Sequence, residues 1–166
     1  MEIKTNSIIR NIFNSIIALG FLIILENTVS IGMTLLAQSI NSFNLISDYD
    51  TCSLTAKLLT SVLFVPFFEE IYKYFTTKNG FGLCYTLLFS VFEMGVYISG
   101  ASSFTEAFET FYLRIIPFAF HMCTFLVIWD GVVQSREEGN SRAEYRNLFI
   151  AMIMHSAYNF IVLTFL

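Results

Sequence analysis

Apolar residues in this chain gather into long blocks, and polar positions interrupt the blocks instead of alternating within them. The first block runs from Ile12 to about Ile40. At about 1.5 Å of rise per residue it is long enough to cross a hydrocarbon layer of about 30 Å. Four further blocks follow, and the pattern predicts helices near residues 14–38, 56–76, 81–100, 107–130 and 146–166. The breaks between them, NSFNLISDYDTCS, TTKNGFG, SGASSFTE and QSREEGNSRAEYRN, are polar or rich in turn formers. No linker is long enough to separate a second domain, and no internal repeat is present. The expected fold is therefore all-α: one transmembrane domain over residues 1–166, an integral membrane helical bundle of about five spans. The opening MEIKTNSIIRNIF carries a basic start, but no small-residue cleavage site bounds a short apolar core, so the first block reads as a retained span.

Composition points the same way. Of 166 residues, 55% are hydrophobic, 17% aromatic and only 13% charged, with mean hydropathy +0.66. A soluble domain devotes roughly 25–35% of its surface to charge, so the lipid bilayer must cover most of this one. The net charge of -4 comes from scattered acids, which excludes a nucleic-acid surface and a polyacidic tail. Cys52, Cys84 and Cys123 are odd in number and lack CxxC spacing, predicting neither disulfides nor a thiolate metal site. Near the span ends, Lys4, Arg10, Lys73, Lys78, Arg136, Arg142 and Arg146 fall on one side, against Lys57 and Arg114 on the other. That bias predicts a protein of the cytoplasmic membrane with its amino terminus in the cytoplasm. The 41–57 loop, with Asp48 and Asp50, and the carboxyl terminus are expected outside, and the mixed-charge loop at 134–146 is expected to be solvated inside.

Several polar residues then stand inside the spans: Glu26, Glu69, Glu70, Lys73, Glu93, Arg114, His121 and His155. A charge at the centre of a lone helix costs roughly 2.5–3.5 kcal/mol on insertion scales, so these groups must meet one another or water. Lys73 is four residues from Glu69 and three from Glu70, and either spacing permits a bridge. His155 and Asn159 share a face of the last span, Glu93 and Tyr97 a face of the third. Arg114, His121 and Thr124 share a face of the fourth, with Pro117 loosening the backbone between them. Glu26 and Asn27 share no such stripe and read as helix packing or a gate. Each group alone is explicable as interhelical glue. Jointly, with both histidines of the chain intramembrane and carboxylates on two further helices, they form a candidate site.

A carboxylate pair with two histidines where water is scarce suits activation of one water against an amide carbonyl. A glutamate would take the proton, His155 and Asn159 would donate to the oxyanion, and His121 would orient or deprotonate the water. Glutamate with two histidines is also a sufficient shell for a catalytic metal, zinc or another divalent ion, and the residues do not choose between the two. Neither HExxH nor GxSxG occurs.

Four short motifs occur in order: EEIYK (Glu69, Glu70, Lys73), FEMGVY (Glu93), HMCTFLVIWDG (His121, Thr124, Gly131) and HSAYN (His155, Asn159). Over residues 60–160 this order resembles the PrsW-type intramembrane proteases, relatives of the CAAX prenyl proteases and bacteriocin-processing proteins. Tyr74 stands where the CAAX relatives have arginine, and Met94 to Tyr97 lack further acidic and amide residues expected after FE. The resemblance implies an intramembrane peptidase whose substrate is a membrane protein or peptide. In it Glu69 is the water-activating base, Glu70 and Lys73 stabilise the site, His121 assists, and His155 and Asn159 are oxyanion donors; Glu93 and Arg114 support them. In a metal version Glu69, His121 and His155 are the ligands. The rival expectations are a non-catalytic interaction, immunity or inhibitor protein on the same scaffold, and a small proton or solute carrier.

Overall fold

A computed structural model describes residues 2–42, 54–56 and 58–165. Asp48, Asp50, Cys52 and Lys57, on which some of the expected loop and charge pattern rests, lie outside them. The architecture is all-α, with five helices and no strand among the described residues: α1 (Glu2–Ser42), α2 (Val65–Lys78), α3 (Gly82–Ser99), α4 (Phe104–Glu138) and α5 (Arg142–Phe165). Four are long and apolar enough to cross a membrane, over Ser7–Ser39, Gly82–Ser99, Phe104–Glu138 and Arg142–Thr164.

The remaining helix, α2, has only 14 residues and carries Glu69, Glu70, Lys73 and Lys78. It is also the one that packs against all four others. Charge makes α2 a poor lipid-facing span, so the longer helices surround it and face the lipid for it. Isoleucine, leucine and phenylalanine are exposed along α1, α4 and α5, including Ile8, Phe13, Phe21, Leu113, Ile116, Phe149 and Phe160. Inside, buried polar and charged side chains outnumber buried apolar ones among the described residues. Isolated hydroxyls return to their own helix, as Ser15 Oγ does to the Asn11 carbonyl at 2.7 Å and Ser90 Oγ to the Thr86 carbonyl at 2.8 Å.

Two apolar clusters flank the polar centre. Leu22 of α1 meets Tyr85 and Phe89 of α3; Tyr74 of α2 meets Ile128 and Val132 of α4 and Ala151 of α5. The turn after α2 reverses at Gly80 (φ 84°), and α4 stops at Gly139 (φ 69°), positions where a side chain would be strained. The expected 134–146 loop is thus mostly helix with a tight turn at 139–141. Glutamate and arginine are good helix formers, and only Gly139 breaks the run. Nor is that region merely solvated. Glu144 is buried and accepts from Lys78 Nζ at 3.1 Å, and the Arg136 guanidinium donates to the Lys78 carbonyl at 3.0 Å, so one end of α2, α4 and α5 is tied together.

Helices α4 and α5 approach closely at Gly131, where a Cβ would lie 2.6 Å from Asn147 Cβ and 2.9 Å from the Ala143 carbonyl. Gly131→Val is therefore expected to wedge the pair apart and destabilise the bundle by about 1–3 kcal/mol. Unfolding of the purified protein in mixed micelles checks this, with Gly139→Asn, accommodated in the left-handed region, as the mild control.

Candidate active site

The site is built outward from one oxygen. Glu70 Oε1 accepts from Lys73 Nζ at 2.6 Å, from His155 Nδ1 at 2.7 Å and from Thr124 Oγ1 at 3.3 Å, joining α2, α5 and α4. Of the two bridges the spacing permits, Lys73 makes the one to Glu70. Its other two contacts are His121 Nδ1 at 3.1 Å and Thr124 Oγ1 at 3.0 Å, so the three protons of a fully buried ammonium meet three acceptors.

Those partners set the tautomers of both rings. An ammonium only donates, so His121 Nδ1 accepts, and the ring proton sits on Nε2, which faces Glu93 Oε2 at 2.9 Å. Glu70, ionised beside Lys73, only accepts, so His155 Nδ1 carries that ring's proton and Nε2 presents a bare lone pair. That nitrogen lies 3.6 Å from Glu69 Oε2, and His121 Nδ1 lies 3.8 Å from the same oxygen. Glu69 Oε2 is buried and has no hydrogen-bond partner. Glu69 Oε2 and His155 Nε2 therefore turn unmet acceptor atoms toward a shared gap, with the Lys73-bound His121 Nδ1 at its edge, and something with protons or positive charge belongs there. Ring packing holds the imidazoles still: their centroids are 5.1 Å apart, Phe89 sits edge-on to His121 at 5.0 Å, and Phe120 lies 5.9 Å from His155.

A cavity of about 280 Å³ opens from the gap, lined by Glu69, Glu93, His121, His155, Tyr158 and Asn159 and reaching Ser61, Tyr97, Arg114 and Leu163. The last four lie toward the ends of their helices opposite Lys78, so the cavity leads away from the basic end of the bundle.

The chain matches no family model, no curated protein and no solved structure. The PrsW-like reading accordingly rests on the four motifs, and the chemistry rests on the geometry.

Glu69, Glu70, Lys73, Glu93, Arg114, His121, His155 and Asn159 all reach this one cluster or its cavity. One of the roles expected from the resemblance does not fit the contacts, and another is shared with a structural bond. His155 donates from Nδ1 to Glu70 and accepts at Nε2, so it does not point a donor at an oxyanion. Asn159 Nδ2 donates to the Ser61 carbonyl at 2.8 Å. Ser61 lies in a π-helical stretch, Thr60–Phe64, that leads into α2. The Val65 N–H already serves the Thr60 carbonyl, and the next residue, Pro66, has no N–H, so the Ser61 carbonyl is stranded and Asn159 takes it up. One amide proton of Asn159 remains to face the cavity.

Sequence reasoning also set Glu26 apart. Its Oε1 is buried without a partner, within electrostatic range of Glu93 and Glu69. An acid at the middle of an otherwise uncharged stretch of α1 was the available signal. Tyr85, whose hydroxyl is buried and unpartnered near the same carboxylates, gave none.

The donor set can hold a metal ion: one ligand atom from each of Glu69, Glu70, His121 and His155 lies within 4.8 Å of the others. The separations of 3.6 and 3.8 Å about Glu69 Oε2 approach the edge of about 3.4 Å that metal–ligand bonds of about 2.1 Å imply in a tetrahedron. Each histidine also has a carboxylate on its far nitrogen, the usual support for a ligating imidazole. Only Lys73, which already occupies His121 Nδ1, competes.

Lys73→Met should destabilise the bundle by about 3–5 kcal/mol, because it leaves Glu70 buried without its counter-charge. Adding Glu70→Gln should restore most of the loss. Chemical unfolding of the single and double variants measures both.

Proposed function

We propose that the protein is an intramembrane peptidase that hydrolyses a peptide bond of a membrane protein or peptide with water activated at Glu69. The observation that carries this reading is the gap between Glu69 Oε2 and His155 Nε2, two buried acceptors without a donor beside the Lys73-bound His121 Nδ1, opening into a cavity of about 280 Å³. Structural glue ends in satisfied hydrogen bonds; this arrangement ends in unmet ones.

A water in the gap donates to Glu69 and to His155 Nε2. Glu69 takes its proton as the oxygen adds to the amide carbon, and the remaining amide proton of Asn159 meets the developing oxyanion. The carbon–nitrogen bond then breaks as the proton passes to the leaving nitrogen, giving one carboxylate and one amine. Lys73 stays where it is. With its three protons engaged, it holds Glu70 ionised, and Glu70 in turn fixes the His155 tautomer. If an ion takes the gap, Glu69, His121 and His155 hold it, and it would lower the pKa of a bound water and polarise the carbonyl. His121 Nδ1 must then be released by Lys73. The basic residues at the α2–α3 and α4–α5 turns favour that end in the cytoplasm, so the cavity would open toward the outer leaflet.

Purified protein in lipid nanodiscs is expected to cleave quenched-fluorescent apolar peptides of mixed sequence, and Glu69→Gln to slow the cleavage by about 10²–10⁴-fold with helicity unchanged. Cleavage by Glu69→Gln at the native rate, or none by the native protein, would favour the interaction or immunity reading. Elemental analysis separates the two chemistries: activity in protein with less than stoichiometric divalent metal, undiminished by chelator, leaves the glutamate alone as activator.

A further inference from the structure

Arg114 lies on α4 at the far side of the cavity, and among the described residues its guanidinium makes no hydrogen bond. It lies 3.0 Å from the centroid of the Tyr97 ring and 3.7 Å from Glu93 Oε1, beyond hydrogen-bond reach. Among the described residues no acceptor meets any of its five N–H groups. The nearest acid is already engaged, since Glu93 Oε2 faces His121 at 2.9 Å. The side chain is one-quarter exposed, 25%, and it lines the cavity that begins at Glu69. An arginine in a membrane interior normally finds hydrogen-bond acceptors as well as a counter-charge, and Glu93 supplies only the charge. Here the Tyr97 ring covers one side of the guanidinium, and the side chain lines space that a ligand would fill.

We propose that Arg114 is a specificity-determining residue that binds a carboxylate of the peptide substrate. The inference rests on the peptidase reading of the same cavity and adds the chemical class of what enters it. Seven residues separate Arg114 from His121, about 10 Å along α4. The carboxylate is therefore held two helical turns from the bond attacked at Glu69, a separation that an extended peptide bridges in a few residues. A guanidinium recognises a carboxylate through two parallel N–H···O bonds. Tyr97 is the positioning residue that keeps the fork pointing into the cavity. The carboxylate has two chemical sources, the free carboxyl end of the substrate or an aspartate or glutamate side chain within it.

Binding is measured separately from cleavage, using full-length Glu69→Gln protein in nanodiscs and three fluorescent pools of mixed-sequence apolar octapeptides. The pools carry a free carboxyl end, an amidated end, or an amidated end with one internal glutamate. At least one acidic pool is expected to bind about tenfold or more tightly than the uncharged amide, as hydrogen bonds to a charged group warrant. That preference should vanish in Arg114→Gln and fall partway in Arg114→Lys, which keeps the charge but loses the fork. Preference for the first pool identifies a terminal carboxylate, and preference for the third an acidic side chain. Equal binding of all three pools, binding of none, or a preference that survives Arg114→Gln overturns the proposal. Helicity of each variant guards against misfolding, and the Tyr97→Leu variant, which leaves the guanidinium in place, should weaken the preference without abolishing it. Failure here with Glu69-dependent cleavage intact leaves the peptidase standing; acid-selective binding without cleavage by the native chain leaves the recognition site and removes the enzyme.

Discussion

The bundle depends on the ion pair between Glu70 and Lys73, two fully buried groups three residues apart on the shortest helix. Three helices are joined at Glu70 Oε1, and the ammonium opposite it reaches α4 twice. Taking such a pair out of water is expensive, and its mutual attraction repays this only when the leftover protons and lone pairs are also met. That condition dictates what must surround α2: a hydroxyl at Thr124, an imidazole on each of α4 and α5, and a carboxylate at Glu93 behind one ring. The helices that bring these groups turn their other faces, rich in exposed isoleucine, leucine and phenylalanine, to lipid. The polar interior and the apolar exterior are consequences of the same pair.

The pair also divides the two adjacent glutamates. Glu70 accepts from three donors, all at Oε1, and is tied to two other helices; Glu69, one residue away and about 100° around the helix, has no donor at the Oε2 that faces the two histidines. Nothing chemical distinguishes two neighbouring glutamate side chains except what each faces. In this fold one holds the scaffold through its ion pair, and the other faces the cavity. The tautomers follow from the same division, because Lys73 and Glu70 fix where the ring protons sit and thereby which nitrogens face the gap.

Much of this was legible in the chain, and what was hidden has physical reasons. The apolar blocks marked five helices, because length and burial of backbone polar groups leave few alternatives in lipid; four are long and apolar enough to cross a membrane, and the block expected as a span over 56–76 holds the charged α2. Helical spacing grouped Glu69 with Glu70 and Lys73, His155 with Asn159, and Arg114 with His121, because residues three, four and seven apart share a face. Spacing says nothing about which partner on another helix a face will meet. Lys73 was equally compatible with Glu69 and Glu70 until Thr124 and His121 of α4 placed its remaining protons. Glu26 was unreadable for the same reason: it has no companion on its own helix, and its neighbours, Glu69 and Glu93, lie on α2 and α3. The charged stretch after residue 134 misled in the opposite direction, since a polar sequence describes a loop and a helix equally well when Gly139 is its only breaker.

Asn159 carries the most instructive disagreement, because its place in a motif and its place in the structure suggest different work. Pro66 removes a backbone donor where the chain enters α2, the turn before it widens into π geometry, and the Ser61 carbonyl is left facing α5. Asn159 supplies the missing donor from one turn beyond His155. The side chain that meets this stranded carbonyl therefore belongs to the same helical face as the histidine of the site, and the start of α2 is pinned to the helix that completes the cluster. Replacing Asn159 by a residue without a donor would free the entrance of α2 and shift Glu69 relative to His155, even if the amide never touched a reacting atom. A strong effect on activity at this position is thus compatible with a positioning role, and only a substitution that restores the lost backbone donor, such as Pro66→Ala combined with it, separates positioning from direct stabilisation of an oxyanion.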